Sequence, residues 1–379
     1  MRVVLTGGGT GGHIFPALAV AELLRQAGHE LLYIGKPDSM ESTLVPQRGI
    51  AFEGVYFSGM PRKPRLELFP EMIQWFAQLY NAQKAAKEIL NRFKPDVVFG
   101  TGGYVSGPVL LSAHIMGIPY AVHEPDAQPG LVNRLMARRA RVVSAAFEES
   151  REKFMLMEGA IFEATGNPVR QDLGKMPKAE ALAILSPAWT PEKKTVLIFG
   201  GSQGARRMNQ ATVEALPALL EQLHLQVIHI SGQKLFAETQ ALLAQKAPDY
   251  THHPAYQLLP FTQEMPTLMA ASDLAVTRSG SLSLSETYLA GLPTILIPYP
   301  YAAADHQTKN AQASAAAGAS IVLRDSQCDG ASLVNALRSV LDLSGRLENM
   351  SAAARHLAKP QASQRIVTLL TTIGQPVVG

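Results

Sequence analysis

The sequence predicts an α/β fold made of two parallel-sheet halves, and three observations carry that expectation. Short β-branched strands alternate with amphipathic helices along the whole chain, the order that produces parallel sheets. A glycine-rich turn follows a strand near the start, at residues 7–12, and another near the middle, at 200–205, as though the scheme begins twice. The chain of 379 residues is also too long for one ordinary hydrophobic core, so two domains are the natural division.

In the first half Val3-Val4-Leu5 reads as a strand. Leu18, Ala21, Leu23 and Leu24 have helical spacing, Pro16 is placed in the first turn of that helix, and Gly28 ends it. Leu31-Leu32-Tyr33-Ile34, Asp96-Val97-Val98-Phe99, Tyr120-Ala121-Val122-His123 and Arg141-Val142-Val143-Ser144 are the following strands. The scheme restarts at Thr195-Val196-Leu197-Ile198-Phe199. It continues through Val227-Ile228-His229-Ile230, Leu274-Ala275-Val276-Thr277 and Thr294-Ile295-Leu296-Ile297. The boundary is expected near Gly166-Asn167-Pro168, giving domains 1–166 and 167–356, with residues 174–194 as a connecting segment rich in Pro, Ala and Lys.

Charged residues make up 17% of the chain and the net charge is +3. That balance is too weak to argue for nucleic acid, and none of the usual nucleic-acid-binding patterns occurs. It suits anionic partners such as nucleotides, diphosphates or acidic lipids. The single cysteine, Cys328, allows no internal disulfide and fits a reducing compartment. The opening strand is too short for the apolar region of a signal peptide, and no apolar run is long enough to span a bilayer.

The loop Gly7-Gly8-Gly9-Thr10-Gly11-Gly12 contains a G-x-G-x-x-G match between a strand and a helix. Backbone N–H groups there can approach a phosphate, and the helix N-terminus adds partial positive charge. A nicotinamide dinucleotide site uses the same pattern but wants an acid at the end of the second strand. Here that strand runs into Gly35-Lys36, which lowers the oxidoreductase reading without excluding it. Gly100-Thr101-Gly102-Gly103 and Gly200-Gly201-Ser202-Gln203-Gly204-Ala205 are two more such turns, neither with the ending of an ATPase loop. Several anion-friendly turns suit a nucleotide-sugar donor paired with a diphosphate-linked acceptor. A non-catalytic nucleotide-sugar-binding module is the remaining alternative.

Taken together the motifs resemble those of the MurG family, N-acetylglucosaminyltransferases that make lipid II for peptidoglycan. They are Gly8-Gly9-Thr10-Gly11-Gly12-His13 with Pro16, Thr101-Gly102-Gly103-Tyr104-Val105-Ser106-Gly107-Pro108, His123-Glu124 with Pro129-Gly130 and Asn133-Arg134, Gly166-Asn167-Pro168-Val169-Arg170, Gly200-Gly201-Ser202-Gln203-Gly204-Ala205, Arg278-Ser279-Gly280 with Glu286, and Asp305-His306-Gln307 with Asn310-Ala311. The resemblance implies a GT-B fold, two Rossmann-like domains facing across a cleft, with a last helix within 357–379 returning to the first domain. It implies transfer of GlcNAc from UDP-GlcNAc to the MurNAc 4-hydroxyl of undecaprenyl-diphospho-MurNAc-pentapeptide (lipid I), with inversion at the anomeric carbon. It also implies peripheral attachment to the cytoplasmic face of the bacterial inner membrane and contacts with other cell-wall enzymes. A related transferase acting on another lipid is the nearest alternative.

Inverting transfer needs a base at the acceptor hydroxyl. His13 at the loop's end is the leading candidate, with Glu124 and Asp126 as rivals. No D-x-D pair and no metal-ligand spacing of histidines occurs, so no catalytic metal and no cofactor is expected, and the departing diphosphate is to be stabilised by amide N–H groups, helix ends and cations. The acceptor diphosphate is assigned to Gly9, Thr10, Gly11, Gly102, Gly103 and Tyr104. UDP-GlcNAc is assigned to Thr10, Gly11, Gly12, Asp126, Arg170, Ser202, Thr262, Ser281, Leu282, Ser283, Leu284, Ser285, Glu286 and Gln307. Within that set Ser281 or Ser283 is read as a helix cap. Glu286 is read either as a ribose ligand or as the acid of a capping box with Ser283. Gln307 offers an amide for sugar hydroxyls. The family usually has His-Glu-Gln-Asn where this chain has His123-Glu124-Pro125-Asp126, so a side chain with the shape of asparagine that cannot donate when ionised stands at Asp126.

Met72, Ile73, Trp75, Phe76, Leu79 and Tyr80 cluster on one side of a helix expected over 71–92, preceded by Arg62, Lys63 and Arg65. Such a stripe suits an anionic bilayer or the acceptor lipid, although a core-facing stripe is the commoner case. Arg134, Arg138, Arg139 and Arg141 form a second basic cluster.

Overall fold

The computed structural model describes residues 1–59, 68–170, 172–201, 204–302 and 305–375. The chain divides into two compact units, one of 1–169 with 361–379, the other of 170–360. The division thus falls a few residues beyond Gly166, and the return to the first unit begins at Gln361.

The first unit holds seven parallel strands: β1 Arg2–Thr6, β2 Glu30–Gly35, β3 Ala51–Gly54, β4 Val97–Gly100, β5 Tyr120–Glu124, β6 Val142–Ala145 and β7 Ile161–Glu163, in the order β3-β2-β1-β4-β5-β6-β7. The second holds six: β8 Thr195–Phe199, β9 Gln226–Ile230, β10 Tyr256–Leu259, β11 Leu274–Thr277, β12 Thr294–Leu296 and β13 Ser320–Val322, in the order β10-β9-β8-β11-β12-β13. Both sheets reverse direction of winding beside their first strand, between β1 and β4 and between β8 and β11. In open α/β sheets ligands bind at the carboxyl ends of the strands flanking that point. The glycine turns at 7–12, 100–103 and 200–205 leave those strand ends.

Strand pleating explains why each sheet is covered on two faces. Val3 and Leu5 face a core with Leu18, Leu24 and the last helix's Ile366 and Leu370, while Val4 faces the other side with Leu90, Val109 and Leu110. In the second unit Val196 and Ile198 pack with Met208, Leu216, Leu333 and Leu337. The last helix, Ala362–Gly374, is tied to the first unit's edge strand by Arg365, whose Nε and Nη2 meet the two Glu163 carboxylate oxygens at 2.6 and 2.7 Å.

Two local expectations need correction. The first helix is Gly11–Gln26, so Pro16 lies inside it and not in its first turn. The chain turns helical as soon as Thr10, in extended conformation (φ −147°, ψ 155°), leaves the glycine loop. Pro16 consequently has no N–H to give the Gly12 carbonyl one turn earlier. The connecting segment 174–194 is part of the second unit's body. It contains the helix Lys178–Leu185, with Ala181 and Leu182 buried, and Lys178 Nζ meets Asp273 Oδ2 at 2.7 Å. Pro and Lys bracket this helix, and its apolar middle decides where it packs.

Candidate functional site

In the first unit the turns after β1 and β4 are pressed together, and glycine makes that possible. A Cβ on Gly103 would lie 2.2 Å from the Gly8 carbonyl oxygen, and Gly103 has φ +81°, where side chains are strained. The Gly8 N–H donates to the Gly102 carbonyl at 3.3 Å and the Thr101 N–H to the Thr6 carbonyl at 2.9 Å. Thr101 Oγ1 donates to the His13 carbonyl at 2.6 Å, and the Tyr33 hydroxyl to the Gly7 carbonyl at 2.8 Å. Gly102 and Gly103 therefore have a packing role, and the Tyr104 ring lies over Gly59. The Gly11–Gln26 helix begins with no side-chain cap and no acid in its first turn, so its positive dipole end lies beside Gly9, Thr10, Gly11 and Gly12 without a neutralising side chain of its own.

His13 is half-buried at this helix start. Its Nδ1 lies 2.9 Å from the Thr101 carbonyl oxygen. A carbonyl only accepts, so Nδ1 carries the hydrogen and Nε2 keeps its lone pair. Burial pushes the imidazole below its usual range; Asp126, the Thr101 bond and Glu41 pull the other way. The ring is thus held neutral with its basic nitrogen defined.

The loop after β5 is built round Glu124, which is 2% exposed. Its Oε1 accepts the Asp126 N–H at 3.0 Å; its Oε2 accepts the Gly130 N–H at 3.1 Å and Asn133 Nδ2 at 3.0 Å. Burial pushes this carboxyl up to about 7, against the pull of those donors. Both oxygens thereby accept bonds from the loop, and one of them holds the Asp126 N–H. His123 is fully buried: Nδ1 accepts from Ser144 Oγ at 2.9 Å, and Nε2 donates to Asn167 Oδ1 at 3.0 Å. Burial lowers its pKa to about 4. Asn133 Nδ2 also holds the His123 carbonyl at 2.9 Å and lies beside Gly102, and its Oδ1 is buried without a partner among the described residues. Nothing in local sequence marks it, because its partners come from β5 and the β4 turn.

In the second unit the turn after β8 is again glycine-determined. Gly201 has φ +81°, Gly204 has φ +76°, and a Cβ on Gly204 would lie 2.1 Å from the Ser231 carbonyl oxygen. Ser202 lies outside the described residues. Asn209 Nδ2 donates to that Ser231 carbonyl at 3.0 Å, while its Oδ1 accepts from His229 Nε2 at 3.1 Å. His229 Nδ1 accepts from the Tyr256 hydroxyl at 2.9 Å, and burial lowers its pKa to about 3.

The turn after β11 opens the helix Ser281–Ala290, whose N-cap is Gly280. This corrects the capping expectations: neither Ser281 nor Ser283 caps, and Ser283 stands inside the helix, so no capping box with Glu286 exists. The first turn of Ser281, Leu282 and Ser283 has no side-chain cap and carries no acid. Leu284 is buried against Leu296 and Ala311, and Ser285 Oγ is turned back to the Ser281 carbonyl at 2.9 Å. Glu286 is pushed up to about 7 by burial, with Arg170 opposing and Asp172 adding to the rise. Arg170 Nη1 is steadied by the Gln263 carbonyl, beside Thr262, whose hydroxyl accepts the Glu264 N–H at 2.8 Å. Gln307 Oε1 accepts the Tyr299 N–H at 2.9 Å, which commits the acceptor end of the amide and orients its NH2. Arg278 directly follows β11. Its Nη1 donates to the Ile297 and Pro298 carbonyls at 3.0 and 3.2 Å and to Asp325 Oδ1 at 2.7 Å, and it lies over the Tyr299 ring. Among the described residues no group of His, Cys, Asp or Glu is arranged to hold a metal ion.

Two Rossmann-like sheets with glycine turns at their switch points are an architecture suited to phosphorylated ligands. The family model of the glycosyltransferase family 28 N-terminal domain matches residues 3–144, and that of the family's C-terminal domain matches 195–366. The chain is 38% identical over 370 residues to the UDP-N-acetylglucosamine–N-acetylmuramyl-(pentapeptide) pyrophosphoryl-undecaprenol N-acetylglucosamine transferase of Halothermothrix orenii, covering 98% of each chain. It is 40% identical over 369 residues to the transferase of the same name from Desulfitobacterium hafniense, covering 97% of this chain and 98% of the relative. The crystal structure of Acinetobacter baumannii MurG is similar at a TM-score of 0.71 and 31% identity, over 98% of this chain and 99% of that one. The chain belongs to glycosyltransferase family 28, among its MurG-type N-acetylglucosamine transferases, and has their GT-B fold.

Proposed function

We propose that this glycosyltransferase moves GlcNAc from UDP-GlcNAc to the MurNAc 4-hydroxyl of lipid I, inverting the anomeric carbon and producing lipid II. The observation that carries the mechanism is the Thr101 carbonyl on His13 Nδ1 at 2.9 Å, which leaves Nε2 as a neutral base beside an uncapped helix start. The acceptor diphosphate rests on the N–H groups at Gly9, Thr10, Gly11 and Gly12. The acceptor oxygen attacks C1 of the sugar as Nε2 takes its proton. The bond from C1 to the diphosphate oxygen breaks, and UDP leaves with the electron pair. The first turn of Ser281–Ala290 and the turn at 200–205 stabilise the departing diphosphate through amide N–H groups. Glu286 accepts the ribose hydroxyls, Arg170 supplies positive charge, and the Gln307 NH2 reads the sugar. Asp126 stands beside His13 and favours its protonated form.

The enzyme works at an anionic membrane surface, on the cytoplasmic side. Support comes from the helix Leu68–Phe93, whose expected single stripe divides in two. Trp75 and Leu79 pack on the core, whereas Ile73, Phe76 and Tyr80 are 59%, 57% and 67% exposed at helical spacing. Arg62, Lys63 and Arg65 lie outside the described residues. No helix of the described residues is long and apolar enough to cross a membrane. The deciding experiment incubates the chain with radiolabelled UDP-GlcNAc, a lipid I analogue and a chelator. Labelled lipid is expected; its absence defeats the proposal, and recovery only on adding metal defeats the metal-free mechanism.

A further inference from the structure

Glu41, in the short helix Met40–Leu44 after β2, is fully buried behind the first unit's glycine loop. Its Oε1 accepts the Lys36 N–H at 3.1 Å. The same oxygen faces Gly8, where a Cβ would lie 2.1 Å from it. Its Oε2 is buried with no hydrogen-bond partner among the described residues. An unpartnered carboxyl oxygen in that setting costs free energy, and the packing of the short helix does not account for it.

On the other side of the loop stands His13. Gly8 bonds Gly102, and a Cβ on Gly102 would lie 2.8 Å from His13 Nδ1. The titratable groups whose charges bear on the ring are Asp126 from the β5 loop and Glu41 from behind the glycines, and the ring in turn bears on buried His123. Both carboxylates favour the protonated ring against burial, in a setting where low polarity strengthens such attraction.

We propose that Glu41 is a positioning residue for the transfer, a buried carboxylate that holds the glycine loop in place and stabilises the imidazolium formed when His13 takes the acceptor proton. This rests on His13 acting as the base. The proton passes from the acceptor hydroxyl to Nε2 as the new glycosidic bond forms and UDP leaves with its electron pair; Glu41 exchanges no proton.

The test compares the full-length chain with Glu41→Gln, Glu41→Asp and His13→Gln, using UDP-GlcNAc and a lipid I analogue. Glu41→Gln keeps the volume and the acceptor for Lys36 but removes the charge. Its kcat is expected to fall about tenfold with the donor KM unchanged. The acid limb of kcat, and the His13 titration followed by nitrogen NMR, are expected to move to lower pH, while Glu41→Asp stays close to the parent. An unmoved titration in folded Glu41→Gln, or equal movement in both variants, overturns the inference. If Glu41→Gln does not fold, carbon NMR of the Glu41 carboxyl in the unaltered chain decides: ionised throughout the His13 titration supports the inference, protonated throughout overturns it. A His13→Gln chain as fast as the parent removes the base reading and this inference together. A slow one, with the titration unmoved in Glu41→Gln, removes this inference alone.

Discussion

The two units use the same buried device for different ends. In each unit a neutral histidine, His123 or His229, accepts a hydroxyl at Nδ1 and donates from Nε2 to an asparagine, Asn167 or Asn209. In each the asparagine amide then holds a carbonyl of a ligand-side turn, Pro125 in the first unit and Ser231 in the second. What differs is the group set on top. The first unit adds a second, half-buried imidazole with a defined basic nitrogen. The second adds a carboxyl beside an uncapped helix start. Under the proposed mechanism a shared scaffold serves proton transfer in one unit and ligand anchoring in the other, and the difference lies in a few side chains at the strand ends.

The largest expected effect separates those two ends. His13→Ala should lower kcat by about a thousandfold while UDP affinity, measured by calorimetry, stays within about twofold. Loss of UDP affinity instead would place the anchoring function in the first unit and break the comparison. Glu286→Gln should do the reverse, raising the donor KM about thirtyfold by weakening a charged hydrogen-bonding group, with kcat little changed. Because burial raises the Glu286 carboxyl to about 7, its ionised form is lost as pH falls through that value. The parent's donor KM should therefore climb on the acid side of about 7, and the Glu286→Gln profile should be flat there.

Stability measurements sharpen the shared part. Asn167→Ala and Asn209→Ala each leave a buried imidazole N–H unpaired, and each should destabilise its unit by about 1–3 kcal/mol in denaturant titrations. Similar losses support one device used twice; a loss confined to one unit would mean that the resemblance between the pairs is only geometric. The smallest effect concerns the divided helix Leu68–Phe93. Phe76→Ser should change stability by less than about 0.5 kcal/mol, since the ring is 57% exposed. It should nevertheless weaken binding to anionic vesicles in a flotation assay. Unchanged flotation would count against this face as the membrane contact.

Much of this was legible in residue order, because alternation and glycine turns are local signals. Strand type follows from runs such as Val196-Leu197-Ile198, and a turn such as Gly200-Gly201 announces a tight approach before any partner is known. Residue identity also made His13 and Glu286 candidates for chemistry. Sequence could not say which nitrogen of His13 is basic, because the Thr101 carbonyl that decides it comes from another strand end. It could not see that Glu124 accepts bonds from its own loop, that Gly280 and not a serine starts the helix before Glu286, or that Asn133, Arg278 and Glu41 converge on these sites. Strand runs and turns depend on neighbours in the chain. Tautomer, burial and hydrogen-bond partners depend on neighbours in space, and only the tertiary structure supplies those.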